Sequence, residues 1–289
     1  MHSSEAQAPL DVTLANPRAD RVKQVRALSG RSARSQHGLY LVEGPQGVRE
    51  AVRHAASSVR DVYLTPAAAS RYSEIVDAAH AAGLFLHIGA PEVLDAMSPD
   101  AQGVLAVVRS GAPSLREALD ARDPERAGRP LLVAVLATVR DPGNAGTVIR
   151  AADAAGADLV VLAGQSVDVH NPKVVRSTAG SLFHLPVVTG LSLDATLAEL
   201  RAAGCHVLAA DGTGPLDLDD LLDDAGTGSY PDLAGPTAWV FGNEAWGLPE
   251  EDRALADAVV RVPIRGKAES LNLATAATVC LYASSRAQR

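Results

Sequence analysis

The sequence predicts an α/β protein in which a smaller α/β unit precedes a larger unit built on a parallel sheet. In the larger unit, nearly unbroken apolar runs such as Leu131–Ala137 and Leu159–Ala163 alternate with helical segments, as parallel sheets covered on both faces require. Before it, residues 110–130 combine turn-forming and charged residues without a continuous apolar stripe, which is typical of a linker. With 47% hydrophobic residues among 289, the chain can bury a core in each unit.

The elements of the first unit follow from its periodicity. We predict a basic helix at 17–29, strands at 38–42, 59–64, 84–88 and 104–109, helices at 45–56 and 67–82, and a short helix near Pro91. In the second unit, further apolar runs predict strands at Val207–Ala210, Ala238–Phe241 and Val259–Val262. The expected organisation is a flexible N-terminus at 1–15, an α/β domain at 16–110, a linker with at most one short helix at 111–130 and a second domain at 131–289.

Composition excludes several classes of protein. Cys205 and Cys280 lie apart in apolar stretches, where reduced and buried thiols are expected. No signal peptide and no 18-residue uncharged apolar run is found, so we expect a cytoplasmic protein without a membrane span. Aromatic residues make up only 3%, which disfavours an extended platform for stacking many bases.

Charge is unevenly distributed over a chain whose net charge is -8. Residues 16–60 contain nine Lys and Arg against three acidic residues, whereas residues 211–225 contain six Asp and no basic residue. The basic stretch fits a surface that follows phosphates, and an ordinary solvated helix face fits it equally well. If the first interpretation holds, Arg21, Lys23 and Arg26 of the first helix are candidate phosphate contacts.

The first of three motifs follows the first strand of the second domain. Asp141 and Pro142 are helix-starting residues, and Gly156 is expected to end the helix. Within it, Asn144 lies in the first turn, and Arg150 is expected on one face with Gly146 and Asp153. Ligands of open α/β sheets bind at this carboxyl edge of the strands. An arginine on a helix face can equally be a solvated surface residue.

The second and third motifs also follow predicted strands. Trp239–Leu248 leads from a buried strand into a turn bracketed by glycines that contains Glu244. Val262–Leu273 leads through a polar loop into the last helix, where Ser270 is a candidate N-cap. Asn272 is then a weak helix former in a first turn, a local compromise that is typical of functional sites. Taken separately, each motif has a simpler explanation. The second can be an exposed turn, and the third can be an ordinary helix cap.

Taken together, the motifs resemble those of a known family. Asn-x-Gly-x-x-x-Arg, Gly-Asn-Glu-x-x-Gly-Leu and Val-Pro-Ile followed by Glu-Ser-Leu-Asn are similar to the three motifs of the SpoU (TrmH-like) branch of the SPOUT RNA 2′-O-methyltransferases, over residues 130–286. More loosely, the first unit resembles the L30e-like substrate-binding domain frequent in that family, through Val42–Gly44 and Val48–Ala51.

The resemblance implies a C-terminal trefoil knot and S-adenosylmethionine as the cofactor, bound largely through main-chain groups. The implied cofactor-binding residues are Ala210, Val240, Phe241, Gly242, Val262, Pro263, Ile264 and Leu271. The implied substrate and active-site residues are Arg150, Asn144, Glu244, Ser270 and Asn272. A guanidinium keeps its proton at neutral pH and is therefore a poor base, so we expect Arg150 to orient phosphate and stabilise the developing alkoxide.

One further segment points to phosphate. Asn171 is expected to cap a helix that begins with Pro172 and carries Lys173 and Arg176 in its first turns, where cations oppose the helix dipole. Basic residues in that position beside an expected active site indicate RNA phosphate binding. A plain surface-charge explanation stays open.

Other functions fit less well. The sequence lacks the glycine-rich dinucleotide fingerprint, His or Cys at zinc-ligand spacing, and Gly-x-Ser-x-Gly, and Gly44–Gly47 matches a KH loop only formally. We therefore expect no metal. On the resemblance, ribosomal RNA (23S) is the preferred substrate and transfer RNA the second, and a homodimer through the knotted domain is expected. The rival is a non-catalytic RNA-binding protein on the same fold.

Overall fold

The computed structural model of the chain describes residues 11–122 and 128–289. It divides into two compact units, one formed by Met1–Gly111 with His170–Arg176 and the other by Ala112–Val169 with Ser177–Arg289. The helices are α1 (Asp20–Ala27), α2 (Arg31–His37), α3 (Pro45–His54), α4 (Pro66–Arg71), α5 (Ser73–Ala81), α6 (Pro91–Met97), α7 (Leu115–Asp120), α8 (Pro142–Ala155), α9 (Pro172–Ser177), α10 (Leu193–Ala202), α11 (Leu218–Asp223), α12 (Glu250–Arg253) and α13 (Leu273–Ala287). The strands are β1 (Leu39–Glu43), β2 (Val59–Leu64), β3 (Phe85–Ile88), β4 (Val104–Arg109), β5 (Leu132–Ala137), β6 (Leu159–Ala163), β7 (Val187–Thr189), β8 (His206–Ala210), β9 (Leu216–Asp217), β10 (Thr237–Phe241) and β11 (Ala258–Arg261).

The first unit is built on a four-stranded sheet in the order β1-β4-β2-β3. β4 pairs antiparallel with both β1 and β2, and β2 pairs parallel with β3. Its four strands lie where the sequence predicts them. Val22 and Val25 of α1 pack with Leu41, Tyr63 and Leu105 in the core on one side of this sheet, because apolar residues at helical spacing form one buried stripe.

Two expectations for the first unit need correction. The predicted single helix at 67–82 is two helices, because Tyr72 leaves the helical conformation at φ -120° and ψ 50°. Neither Gly nor Pro marks this break, so the periodicity alone could not reveal it. The second correction concerns α2, which was not predicted because its polar sequence has no apolar stripe. It is held by Arg34, a buried residue whose guanidinium donates to the carbonyl oxygens of Leu28 and Ser29 at 3.1 and 2.7 Å.

The expected flexible N-terminus at 1–15 and linker at 111–130 fall partly outside the described residues, which exclude 1–10 and 123–127. In the described part of the first, Thr13 and Leu14 donate their backbone N–H groups to the carbonyl of Ile88 at 2.8 and 3.1 Å. In the described part of the second, α7 forms one short helix with a capping box between Ser114 and Glu117.

The second unit is built on a parallel sheet of seven strands in the order β7-β6-β5-β10-β8-β11-β9. The predicted parallel sheet is therefore confirmed, with two short edge strands, β7 and β9, added to it. The chain first builds outward from β5 through β6 to β7, and the later strands lie on the other side of β5. The order therefore reverses between β5 and β10, which is the point at which open α/β sheets bind their ligands.

Two helices cover the reversal point. α8 begins at the N-cap Asp141, whose side chain accepts from the N–H of Asn144, and ends at Gly156 in the left-handed conformation (φ 76°), as the sequence predicts. α13 packs against α8 as well as against β5 and β10. The indole N–H of buried Trp239 in β10 donates to Ser284 Oγ of α13 at 2.9 Å, which attaches the last helix to the middle of the sheet.

Both cysteines are free and buried, as expected. Burial, together with the nearby carboxylate of Asp158, raises the pKa of the Cys205 thiol to about 12. Burial also raises the pKa of Cys280. Both therefore serve as small apolar residues of the core rather than as nucleophiles. Among the described residues, no helix is both long enough and apolar enough to cross a membrane.

Candidate active site at the carboxyl edge of the parallel sheet

A chain of hydrogen bonds joins one residue from each of the three motifs. Asn144 Nδ2 donates to Glu244 Oε1 at 3.4 Å, and Asn144 Oδ1 accepts from Asn272 Nδ2 at 3.0 Å. Glu244 and Asn272 lie 100 and 128 positions after Asn144 in the sequence, so only the fold brings the three residues together. The structure therefore unites three of the five predicted active-site residues in one polar network.

Each member of the network is positioned by its own element. Asn144 occupies the first turn of α8, directly after β5. Glu244 lies in the loop after β10, and its carboxylate accepts from the backbone N–H of Asp141 at 3.2 Å and, more weakly, from that of Arg140 at 3.5 Å. A carboxylate at the N-terminus of a helix is stabilised there by the free N–H groups and the helix dipole. The network is thus anchored to α8.

Asn272 corrects the expectation for the last helix. The N-cap of α13 is Asn272 and not Ser270, since Asn272 Oδ1 accepts from the N–H groups of Ala274 and Thr275 at 2.9 and 3.3 Å. Asparagine is among the best N-cap residues, so it is not a compromise within a helical turn. Ser270 lies two residues earlier in the exposed loop.

Arg150 lies on the exposed side of α8, where its stripe includes Gly143 and Thr147. Gly146, expected on the same face, is buried. Among the residues that the structure describes, the guanidinium of Arg150 has no hydrogen-bond or ion-pair partner. Arg150 is therefore not part of the Asn144 network, and its charge is available to an anion from solvent.

The expected cofactor-binding residues gather at the carboxyl ends of three adjacent strands. Phe241 of β10 and Val260 of β11 both stand opposite Ala210 of β8, so these strands end at one level. Val240 and Phe241 are buried and can offer only main-chain groups, whereas Ile264 and Leu271 are 38% and 37% exposed. The remaining members, Gly242, Val262 and Pro263, directly follow β10 and β11.

The loop from Val262 to Leu271 has main-chain groups to offer. In the described part of the chain, none of its N–H or C=O groups makes a backbone–backbone hydrogen bond. Polar backbone groups that lack partners within the protein are available to a ligand or to water. Beside them lie the exposed apolar side chains of Ile264 and Leu271. This combination of unpaired main-chain groups and apolar cover suits a nucleoside, whose base needs both.

The loop after β10 is held by two residues of the second motif, Gly242 and Asn243, of which Asn243 had been given no role of its own. Asn243, only 5% exposed, donates from Nδ2 to the carbonyl of Thr138 and accepts at Oδ1 from the N–H of Ala245, both at 2.9 Å. A Cβ at Gly242 would lie 2.4 Å from the carbonyl carbon of Gly247, so only glycine fits there. The sequence signals for this role were the place of Asn243 in the Gly-Asn-Glu motif and the turn-forming tendency of asparagine.

In the first unit, the expected RNA-contacting residues of α1 are exposed. Arg21 contacts the ring of His87 at 3.3 Å, and Lys23 pairs with Asp20 at 3.0 Å across solvent-exposed side chains. Arg26 is exposed in the last turn. The basic stretch has fewer available charges than its composition suggests. Arg34 is buried, and two later arginines pair with acids, Arg49 with Glu74 and Arg60 with Asp61.

The segment with Lys173 and Arg176 forms α9, and Asn171 Oδ1 accepts from the N–H of Lys173 at 3.0 Å, as predicted for a cap. The guanidinium of Arg176 forms ion pairs with the buried carboxylate of Glu43 and, at 3.1 Å, with Asp100. Its charge is thereby compensated within the protein. Phosphate binding by Arg176 and Lys173 stays a prediction.

Comparison with known proteins gives consistent matches. Residues 131–282 match the model of the SpoU rRNA methylase family, and residues 19–106 match that of the MRM3-like substrate binding domain. A curated 23S rRNA (guanosine-2′-O-)-methyltransferase, RlmB from Bordetella pertussis, is 32% identical over 252 residues, which cover 85% of this chain and 96% of the relative.

Solved structures agree over nearly the whole chain. The SpoU methyltransferase AviRb from Streptomyces viridochromogenes, in complex with the cofactor AdoMet, matches with a TM-score of 0.76 and 33% identity, over 93% of this chain and 98% of that one. An AdoMet-bound rRNA methyltransferase from Sinorhizobium meliloti matches with a TM-score of 0.77 and 27% identity, over 94% and 97%.

Proposed function

The chain belongs to the SpoU rRNA methylase family, and from that premise we propose that it transfers the methyl group of S-adenosylmethionine to a ribose 2′-hydroxyl of 23S ribosomal RNA. The observation that carries this proposal is the hydrogen-bonded network of Asn144, Glu244 and Asn272, at the carboxyl edge where the strand order reverses. A protein that only bound RNA would have no need of such a network beside a nucleoside-sized set of main-chain groups.

The cofactor is assigned to the carboxyl ends of β8, β10 and β11. The unpaired main-chain groups of Val262–Leu271 fit the adenosine part, and Ile264 and Leu271 cover it. When bound, S-adenosylmethionine supplies a methyl group that is already activated by its sulfonium centre. The chain therefore has to align the ribose oxygen, exclude water and manage one proton, and alignment alone can contribute several kcal/mol.

Arg150 is the residue that we assign to the substrate. A permanently charged guanidinium can hold the phosphate next to the reacting ribose in two parallel hydrogen bonds and stabilise negative charge on its 2′-oxygen. The exposed position of Arg150, without an acidic partner among the described residues, supports this role. Asn144, Glu244 and Asn272 fix the loops around the reacting group, and Ser270 faces solvent in the adjoining loop, where it can meet RNA.

The path of the chain around the proposed site is the basis for one further assignment, a knot. We assign a trefoil knot to the C-terminal region because, after β11, the chain must return across β8 and β10 to place α13 against α8 and β5. The tight approach of Gly242 to the backbone of Gly247 and Leu248 supports a closely packed loop at that crossing. Such a knot would explain how residues far apart in the sequence reach one pocket.

The other assignments of the proposal concern the RNA partner, the oligomeric state and the cellular location. The N-terminal unit, which matches a substrate-binding domain, is assigned to rRNA through α1, and α9 provides further basic residues. A homodimer through the C-terminal domain is supported by the exposed Val279 and Tyr282 on α13. A ribosomal substrate supports a cytoplasmic location. A transfer RNA substrate is the alternative, which assays on both RNAs decide.

The experiment that tests the function pairs a substitution with a binding measurement. We expect Arg150→Ala to lose methyl transfer to unmodified 23S rRNA made by transcription, while calorimetry shows unchanged affinity for S-adenosylmethionine, because the removed group contacts substrate only. Arg116→Ala serves as the control, since that arginine is also on a helix and 87% exposed. Turnover of Arg150→Ala at the rate of the parent protein contradicts the assigned role. Absence of cofactor binding to the folded parent protein contradicts the function itself.

A further inference from the structure

One aromatic side chain stands in the open beside the proposed active site. The chain has two tryptophans, of which Trp239 is fully buried and Trp246 is 54% exposed. Trp246 lies two residues after Glu244, in the loop that follows β10. Burial of such a ring against a ligand is worth several kcal/mol, so an exposed indole at this place is suited to hold a ligand.

The loop that carries Trp246 is rigidly built. Asn243 and Gly247 exchange two backbone hydrogen bonds, each 2.9 Å long, which closes residues 243–247 into a tight turn. The side chain of Asn243 fastens this turn to Thr138, and Gly247 supplies the left-handed conformation (φ 67°) that the turn needs. The indole is therefore presented on a fixed support, so that little conformational entropy is lost when a ligand stacks on it.

Arg140 completes the arrangement. Its guanidinium lies over the indole of Trp246, with 5.4 Å between its central carbon and the ring centroid. This is the distance of a cation–π contact. The ring is 54% exposed although this cation lies over it, so much of Trp246 is still open to a ligand. The backbone N–H of Arg140 also donates to Glu244 Oε2 at 3.5 Å. Arg140 is therefore linked to the polar network through Glu244, and Trp246 lies in the same loop as Glu244.

We propose that Trp246 and Arg140 form a subsite for a single nucleobase of the RNA substrate, next to the reacting ribose. The base stacks on the open face of Trp246, and the guanidinium of Arg140 neutralises a neighbouring phosphate. Flat unstacked bases are held in this way by aromatic rings and arginines throughout RNA recognition. The subsite rests on the proposed function and adds the group that positions the target nucleotide.

A single-base subsite agrees with the composition of the chain. Aromatic residues amount to only 3%, too few for a platform along a strand, but one well-supported ring is enough to hold one base. The acidic net charge of -8 makes non-specific attraction to RNA weak overall. A local contact that does not depend on charge, such as stacking, then contributes more to holding the nucleotide in place.

The test compares Trp246→Ala and Trp246→Phe with the parent protein on unmodified 23S rRNA made by transcription. Loss of one stacked base costs about 1–3 kcal/mol, so we expect the KM for RNA to rise about 5- to 150-fold in Trp246→Ala. Trp246→Phe keeps a ring and should recover most of the loss. The affinity for S-adenosylmethionine, measured by calorimetry, should not change. Tyr230→Ala is the matched control, because Tyr230 is 64% exposed.

Fluorescence gives a second, independent result. RNA should quench the tryptophan emission of the parent protein, because a base stacked on the indole quenches it. The emission of Trp246→Phe, which comes from buried Trp239 alone, should not respond. A Trp246→Ala protein with the parent KM for RNA, or with a loss of cofactor affinity or of dimerisation instead, overturns the subsite. Such a result leaves the methyltransferase assignment intact, which fails only if the parent protein does not methylate RNA.

Discussion

Asn272 has two roles that substitution can separate. Its Oδ1 caps α13, and its Nδ2 donates to Asn144. An aspartate at this position keeps the capping oxygen and loses the donor, whereas alanine loses both. The cap and the network are therefore distinct contributions of one side chain, the first to stability and the second to the geometry of the site.

We accordingly predict that Asn272→Asp unfolds at nearly the parent temperature but turns over about tenfold more slowly, the equivalent of about 1.4 kcal/mol in the barrier. Asn272→Ala should be slower as well and about 1 kcal/mol less stable, because the cap is lost. Thermal unfolding and single-turnover methyl transfer measure the two effects. An Asn272→Asp enzyme with the parent rate would show that the hydrogen bond to Asn144 is dispensable.

Asp61 illustrates a residue that stabilises the fold through its charge. Burial raises its pKa, but the hydrogen bonds from His87 at 2.9 Å and Arg60 at 2.7 Å outweigh burial, so that the pKa of Asp61 lies below its ordinary value of 3.8. A carboxyl whose pKa is lowered by folding stabilises the protein at every pH above the unfolded value. That stabilisation disappears as the pH falls through the folded value.

For Asp61→Asn we therefore predict a loss of about 1–3 kcal/mol at pH 7, since a buried charged acceptor is removed from its donors. The difference from the parent protein should shrink as the pH is lowered below about 4. Urea unfolding at a series of pH values, followed by circular dichroism, measures both. Asp20→Asn is the control, because the Asp20 side chain is 87% exposed. A difference that stays constant down to pH 3 contradicts the role of the charge.

At the scale of elements, helices and strands could be predicted from the sequence where composition and local boundary residues agree. Apart from the short edge strands β7 and β9, the strands of both units were predictable. The limits of α8 were predictable as well, since Asp141, Pro142 and Gly156 are strong boundary residues. The break at Tyr72 and the polar α2 were not, because neither has a local signal. In the site, Asn144, Glu244 and Asn272 were found through motifs. The anchoring role of Asn243 and the exposed position of Trp246 could not be predicted, since both depend on the shape of the loop after β10.

Helix α1 provides a prediction at the same scale. Replacing Arg21, Lys23 and Arg26 together by Ala should weaken binding to 23S rRNA, with a salt dependence shallower by up to about 2 to 3 in the log–log slope, because up to three phosphate contacts are lost. Filter binding at several salt concentrations gives the slope. A double replacement of Arg116 and Arg286, which are exposed on α7 and α13, is the control. An unchanged slope would show that α1 is simply a solvated face.

At the scale of the whole molecule, the proposed homodimer would use one face of α13 as its interface. Val279 and Tyr282 are 40% and 50% exposed and lie three residues apart, on one face of the helix. A charge at Val279 should oppose burial of this face, so we predict that Val279→Glu sediments as a monomer where the parent protein sediments as a dimer. Phe85→Glu, at a 72% exposed position of the first unit, should not alter the sedimentation. A dimeric Val279→Glu protein would exclude this face as the interface.

The hydrogen bond between Asn144 and Asn272 spans 128 residues of sequence and has a consequence for biosynthesis. Contacts between residues so far apart form late, because the loop between them must be closed before the contact stabilises anything. During translation, β5 and α8 are synthesised before α13, so Asn144 at first lacks its partner Asn272. The polar network is therefore incomplete until Asn272 has been synthesised, so a chain that stops before this residue cannot form it.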